Sequence, residues 1–266
     1  MTFLALMLSL FAPAPARADP PPNAKFDYQI GGDYPLPRGV QVVSRDWFIG
    51  SPDFGGYSIC YVNAFQTQDD ERGVNRPDER SNWPAKLVLT RLGDDPNWGG
   101  EYLVDISTAA KRARAVDWVQ QMIRVCAKKG FDAVEYDNLD SWTRFDGTPI
   151  ADQVPFGKEQ AIRYAKALTK RAHALGLAVA QKNTLQLSRR ESRDRIGFDF
   201  AISEECARYR ECGDWLPRFG NHVIDIEYRR SDFKRACRTV GSRLSVVLRD
   251  LDVTRPGSRT YRYAAC

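Results

Sequence analysis

The sequence predicts an α/β fold of the (β/α)8 type: a single-domain TIM barrel with one possible extra N-terminal strand. Three observations carry that prediction. The chain has 266 residues, and about 250 is the usual size of one such barrel. Short apolar or β-branched runs alternate with helical patterns, the rhythm of successive βαβ units. Polar and acidic residues collect at the ends of those runs, where a barrel builds its site. The composition is that of a globular protein, with 43% hydrophobic and 27% charged residues and a mean hydropathy of -0.47. A disordered, collagen-like or polytopic membrane chain is thereby excluded. The net charge of +5 is small and scattered, a weak argument for a nucleic-acid or membrane partner.

Taken in order, Leu4 to Phe11 is an apolar run followed by Pro13, Pro15 and the small-residue stretch Ala16-Arg17-Ala18. This pattern reads as a secretory signal over residues 1–18, too short to remain as a membrane span. The mature domain is then expected to cover 19–266, secreted and free of the membrane. A proline linker at Pro20–Pro22 precedes nine candidate strands. They are Phe26–Ile30, Val40–Ser44, Tyr57–Asn63, Tyr102–Ile106, Ala133–Asp137, Leu177–Lys182, Phe198–Ser203, Val223–Tyr228 and Leu244–Leu248. Nine is one too many for the barrel, so one of the first two is expected to be the extra. Two helices are clear. In Ser107–Lys129, Val116, Val119, Ile123 and Cys126 share a stripe, and Gly130 supplies the stop. In Lys158–Leu175, Ala161, Ala165, Leu168, Ala172 and Leu175 do the same before Gly176. An open doubly wound sheet is the fallback, but no strand is followed by a glycine-rich phosphate loop.

Six cysteines agree with an oxidising compartment. The close pair Cys206 and Cys212 is the favoured bridge, and Cys237 with Cys266 would tie down the tail. Cys60, inside a strand, and Cys126, inside a helix, could both be buried free thiols, and the connectivity of the six stays open. With no C-x-x-C and only two histidines, no zinc site is expected.

The strand ends carry Asp46, Tyr61, Asn63, Asp105, Glu135, Asp137, Asn138, Lys182, Asn183, Glu204, Glu205, Glu227, Tyr228 and Asp250. Buried charges are costly unless paired, so packing alone does not call for this set. Alternation along a strand sorts them by face. Glu135 and Asp137 share a face with Ala133, expected to point into the barrel. Lys182 shares one with Ala178 and Ala180. Asp225 and Glu227 share one opposite Ile224 and Ile226, and it is assigned to the interior too. From Phe198 onward, the small residues Ala201 and Ser203 look like the interior face, which favours Glu205 over Glu204. His173 and His222 lie away from the expected mouth, which removes Ser-His-Asp and Cys-His schemes. What remains is carboxylate chemistry, and glycoside cleavage is the leading reaction that needs only two such groups.

Four segments together carry a family resemblance: YSICYVNAFQTQ at 57–68, FDAVEYDNLD from Phe131, the pair Lys182-Asn183, and FDFAISEEC from Phe198 with Cys212 and Ile226-Glu227-Tyr228 beyond it. They resemble glycoside hydrolase family 114, the endo-α-1,4-polygalactosaminidases, from about Phe26 to the C-terminus. The resemblance implies a (β/α)8 barrel with a catalytic Asp and Glu, matching Asp137 and Glu204, with Glu205 as the alternate. Tyr136 and Ser203 stand where many relatives have Pro and Asn. On this reading Asp137 stays ionised beside Lys182 and Asn138 and acts as nucleophile or base. Glu204 sits away from positive charge and protonates the leaving oxygen. Asp46, Tyr61, Asn63, Asp105, Glu135, Asn138, Lys182, Asn183, Glu205, Glu227 and Tyr228 are expected to bind substrate. Tyr61, Tyr228, Trp47 and Trp142 are candidates to stack on sugar rings.

The expected partner is a cationic amino-sugar polymer, with no nucleic acid, no metal or other cofactor, and the chain acting as a monomer. Two other readings stay open. A non-catalytic polysaccharide-binding barrel would keep the aromatics without needing the carboxylate pair. A divalent-metal hydrolase would use the carboxylate ring, against which the scarcity of histidine counts.

Overall fold

A computed structural model describes residues 19–68 and 83–266. The expected signal at 1–18 lies outside the described residues. Eight parallel strands follow one another around the sheet in chain order. They are β1 (Phe26–Gln29), β2 (Val42–Asp46), β3 (Tyr57–Asn63), β4 (Ala133–Asp137), β5 (Ala178–Lys182), β6 (Phe200–Glu204), β7 (Val223–Glu227) and β8 (Ser245–Arg249). The sheet curls until β8 meets β1. There Arg249 Nη1 pairs with Asp27 Oδ1 at 3.1 Å, both side chains fully buried. A ninth strand, β9 (Tyr263–Ala265), runs antiparallel along the remaining edge of β8. It covers backbone groups that would otherwise be exposed at the seam.

The strand beyond eight therefore comes at the C-terminal end. Both N-terminal candidates belong to the barrel proper. Of the nine runs, Tyr102–Ile106 is not a strand. It makes only isolated antiparallel bridges, Leu103 with Gln66 and Val104 with Val88.

Helix α1 (Ala109–Lys129) crosses from β3 to β4. Its N-cap Thr108 accepts the Lys111 N–H through its hydroxyl, and Gly130 ends it in the left-handed region at φ 92°. Helix α2 (Lys158–His173) joins β4 to β5. Gln160 Oε1 reaches back to accept the Gly157 N–H at 3.1 Å. The helix stops short of Leu175, which is left exposed. A π-helical segment (Arg190–Ile196) joins β5 to β6. Two short helices, α3 (Cys206–Tyr209) and α4 (Cys212–Phe219), join β6 to β7, and α5 (Arg230–Thr239) joins β7 to β8. The β1–β2 and β2–β3 connections carry no helix. Among the described residues no helix is long and apolar enough to cross a membrane.

Two apolar layers hold the fold. The barrel interior is filled by Phe26, Tyr28, Val42, Ile59, Tyr61, Phe200, Ile202, Ile224, Ile226 and Val247, with Ala133, Ala178 and Ala180 between them. Large branched and aromatic side chains fill a barrel of this size. The outer layer joins Val62, Val134, Tyr136, Val179, Ala201 and Val246 to the helices. This assignment corrects two expected faces. In β6 the interior face is Phe200-Ile202-Glu204, and Ala201 faces the helices. In β7 the interior face is Ile224-Ile226, so Asp225 and Glu227 point outward.

Three disulfides are formed: Cys60–Cys126, Cys206–Cys212 and Cys237–Cys266. The last two match expectation. The first corrects the reading of two free thiols. It ties β3 to α1 across 66 residues.

Candidate active site

The C-terminal ends of β3, β4, β5, β6 and β7 meet at one mouth. Its centre is Lys182, the last residue of β5, whose side chain is 1% exposed. The ammonium lies 3.4 Å from Asp137 Oδ1, 3.5 Å from Glu204 Oε2 and 3.6 Å from Glu135 Oε2. It also donates to the Tyr28 hydroxyl at 2.9 Å. It sits 5.1 Å from the Tyr28 ring centroid and 5.8 Å from that of Tyr61, within cation–π range. Burial works against the charge on Lys182. Asp137, Glu204 and Glu135 outweigh it and hold the amine well above its ordinary value. The cation is therefore permanent at working pH.

Asp137 closes β4 on the interior face, as the alternation predicts. Burial again works against ionisation, but Lys182, the Tyr61 hydroxyl and the Asn138 N–H prevail and lower its pKa. The Tyr61 hydroxyl donates to Oδ2 at 2.8 Å and the Asn138 N–H to Oδ1 at 2.9 Å. Glu204 closes β6. Its Oε2 accepts Asn183 Nδ2 at 2.7 Å, while its own N–H donates to Asn183 Oδ1 at 2.7 Å. The Tyr228 hydroxyl donates to its other oxygen, Oε1. The expectation that Glu204 lies away from positive charge is not met, because Lys182 is as close to it as to Asp137.

Glu135 sits one layer deeper, bonded to the Ser44 hydroxyl. Burial pushes it up to about 7, against the pull of Lys182 and Ser44. Burial and nearby carboxylates also hold Tyr28, Tyr61 and Tyr228 well above the ordinary phenol value. They remain hydroxyl donors.

The chain turns abruptly after each central residue. Asn138 (φ 60°), Asn183 (φ 44°) and Glu205 (φ 58°) follow Asp137, Lys182 and Glu204, and all three are left-handed. Asparagine tolerates this region, whereas a glutamate there is uncommon. The turn takes Glu205 off the strand, where it pairs with Arg208 at 2.7 Å. Glu205 thus lines the rim of the cleft, while Glu204 occupies the interior.

The other predicted residues divide. Asn63 and Asn138 link to each other at 3.0 Å beside Asp137. Asp46 is buried at the end of β2, where Oδ1 accepts the N–H groups of Phe48 and Ile49 at 2.9 and 3.1 Å. Asp105 is not brought to the cluster: it accepts the Ser107 hydroxyl and pairs with Lys111 beside the start of α1. Glu227 is also elsewhere, accepting the Ala207 N–H at 2.7 Å behind β7. Burial raises it to about 7, and its carboxyl neighbour Asp225 is held well above the ordinary value by burial and by Glu227. The ligand atoms of Cys206, Cys212, Asp225 and Glu227 fall within 4.8 Å of one another. Both sulfurs are in a disulfide, so the set amounts to a carboxyl pair. Trp47 and Trp142 pack partly buried against the outer layer.

Several residues of the mouth escaped the sequence reading. Tyr28 holds Lys182 from beneath, and its only signal was sharing the inner face of β1 with Phe26. Glu101 accepts Asn63 Nδ2 at 3.1 Å. Burial and Asp137 push it up to about 8. Arg144 donates to Asn138 Oδ1 at 2.6 Å and pairs with buried Asp95 at 3.0 Å. Glu101 and Arg144 lie on loops, where no periodicity marks them. From Glu204 a cleft of about 740 Å³ opens, lined by Asp140, Arg144, Asn183, Glu205, Tyr209, Glu211, Trp215, Tyr228 and Leu251 among others.

The ionised Asp137 and the carboxyl of Glu204 share one buried cation, and Glu204 lines the open, acidic cleft beside them. That arrangement suits cleavage of an acetal, where one group meets the carbon and the other the leaving oxygen. The crystal structure of Ega3 from Aspergillus fumigatus, solved as a complex with galactosamine, superposes with a TM-score of 0.75 at 19% identity. The match covers 95% of this chain and 99% of that one. The glycoside hydrolase domain of PelA from Pseudomonas aeruginosa superposes with a TM-score of 0.55 at 12% identity, over 91% of this chain and 100% of that one. At these identities the likeness establishes the shared barrel. No curated protein matches the sequence. The sequence profile of glycoside-hydrolase family GH114 matches residues 9–266. The chain is thus a glycoside hydrolase and belongs to family GH114.

Proposed function

We propose that this enzyme cleaves α-1,4-linked galactosamine-containing polysaccharide, with Asp137 as nucleophile and Glu204 as general acid and then base. The observation that carries the reading is the ammonium of Lys182, held at near-equal distance from the two carboxyls. Two oxygens on one ammonium lie within about 7 Å of each other. That limit applies to the two lysine-facing oxygens and accommodates the ~5–5.5 Å of retaining enzymes. Retention is the proposed outcome.

Asp137 is the carboxyl held ionised, so the nucleophile's role falls to it. In the first step its oxygen bonds to the anomeric carbon as the glycosidic bond breaks. Glu204 gives its proton to the departing oxygen. The Tyr228 hydroxyl can turn to accept from Glu204 while that proton is in place. In the second step water attacks the same carbon, Glu204 takes its proton, and Asp137 is released. Lys182 stabilises whichever carboxylate carries charge.

The amino-sugar assignment rests on the family and on the galactosamine held by Ega3. It is supported by the cleft, where Asp140, Glu204, Glu205 and Glu211 outnumber the single Arg144. Such a lining attracts an ammonium-bearing chain despite the mildly basic remainder. Export is part of the proposal. It rests on the signal-like residues 1–18 and on three disulfides, which persist in oxidising compartments. The active unit is taken to be a monomer of one domain. Incubation with partly deacetylated α-1,4-galactosaminan is the test. New reducing ends are expected, and none from any galactosamine polymer would overturn the substrate.

A further inference from the structure

The seven-residue span closed by Cys206–Cys212 stands beside the catalytic pair and has no role in the two steps above. It begins where β6 ends. Glu205 turns left-handed, α3 follows, and Arg210 turns left-handed again at φ 63°. The span is pinned by its disulfide and by backbone bonds from Glu211 N–H to Cys206 at 2.8 Å and from Tyr209 N–H to Glu205 at 3.1 Å. Such constraints fix which side chains it offers to the cleft, and it offers three of different character. Tyr209 is 57% exposed, with the Arg208 guanidinium over its ring at 5.2 Å. Glu211 has no ion-pair partner among the described residues, in contrast to Glu205, which Arg208 occupies. Trp215, at the base of the span, is 1% exposed, and its indole N–H has no hydrogen-bond partner among the described residues. All three line the same cleft as Glu204 and Tyr228.

An amino-sugar ring has what Tyr209 and Glu211 lack. Its C–H face suits an exposed aromatic ring, and its ammonium suits a carboxylate. We propose that the disulfide-closed span 206–212, with Trp215, forms a second sugar subsite beyond the catalytic pair, in which Tyr209 stacks on the ring and Glu211 holds its ammonium. This rests on the amino-sugar reading above. The cleft of about 740 Å³ is far larger than a single ring requires and falls in the range of sites that enclose most of a drug-sized ligand.

The test is kinetic, on galactosamine oligomers of two to eight units, fully deacetylated or N-acetylated. In wild-type enzyme KM falls as the oligomer lengthens into the second subsite. Tyr209→Ala raises KM for long oligomers about tenfold with kcat little changed, the loss of one stacking contact, and flattens the dependence on length. Glu211→Gln raises KM several-fold for deacetylated oligomers and leaves the N-acetylated ones unaffected. A structural defect would not separate substrates by length or acetylation. If both variants match wild type at every length, the subsite is wrong while the catalytic reading stands. If Glu211→Gln affects both oligomer types alike, the ammonium assignment is wrong. Failure of the wild-type enzyme to cleave any galactosamine oligomer overturns the substrate reading and this subsite with it.

Discussion

The ammonium of Lys182 lies 3.4 Å from Oδ1 of Asp137, and this contact pairs a buried cation with the carboxylate proposed as nucleophile. Lys182→Met removes the cation while leaving Asp137, Glu135 and Glu204 buried together. Three carboxyls without a counter-ion cannot all ionise in that space. The acidic limb of the kcat/KM profile is therefore expected to move upward, because Asp137 loses the partner that lowers its pKa. Turnover at neutral pH should fall by two or more orders of magnitude. A pH–rate profile with an unmoved acidic limb would show that Lys182 does not hold Asp137 ionised.

With Asp137 as the proposed nucleophile, the first product keeps the anomeric configuration of the substrate. Proton NMR of the first product, recorded before the anomers equilibrate, should show the α-anomer from an α-linked substrate. An initial β-anomer would mean that water attacks directly, and would reassign Asp137 from nucleophile to base.

Stability should depend on pH with a definite sign. Burial raises Glu135 and Glu227 from 4.5 to about 7, and Glu101 from 4.5 to about 8. In this range the folded protein binds more protons than the unfolded chain. Their contribution is complete below pH 4.5 and is lost as pH rises through 7 to 8. Asp137 has the opposite sign, but its contribution changes only below its ordinary 3.8. The Tm measured at pH 5 should therefore exceed that at pH 8.5. Glu135→Gln should flatten part of the decline, and a Tm that climbs steadily from pH 5 to 8.5 would contradict these assignments.

The Cys60–Cys126 bridge spans 66 residues, whereas Cys206–Cys212 spans 6. Loop-closure entropy makes the first worth about 4 kcal/mol and the second about 2 kcal/mol. Replacing Cys60 and Cys126 together by Ala should cost roughly twice what the same change costs at Cys206 and Cys212, read by denaturant unfolding.

Alternation along a strand reveals which residues share a face, and there the sequence was informative. In β4 it grouped Glu135 with Asp137, and the small Ala133 beside them leaves room for the pair inside. It does not reveal which face is inside. In β7 the acidic face looked like the site, yet Ile224 and Ile226 fill the barrel. Asp225 and Glu227 are accommodated outside by the N–H groups of Cys206 and Ala207, which donate at 3.2 and 2.7 Å. Those partners are about twenty residues distant in sequence and leave no local pattern. Parity favours Glu205 over the interior Glu204 for the same reason, since Ala201 and Ser203 are small without being interior. Tyr102–Ile106 is apolar because it packs against the core, not because it pairs along a sheet. Nothing in the separate elements of Cys60 and Cys126 pairs them; only the packing of α1 on β3 brings them together. Tyr28, Glu101 and Arg144 act through contacts between loops and strands that no spacing encodes.

The division of labour between Asp137 and Glu204 is the core of the account. The most direct measurement compares Asp137→Asn and Glu204→Gln on the polymer and on an aryl α-galactosaminide whose phenolate departs without protonation. Glu204→Gln should lose about 10²–10⁴-fold on the polymer and retain the first step on the aryl glycoside. Asp137→Asn should be inactive on both. Near-normal turnover of the polymer by either variant, or recovery of Asp137→Asn on the aryl substrate, would contradict it.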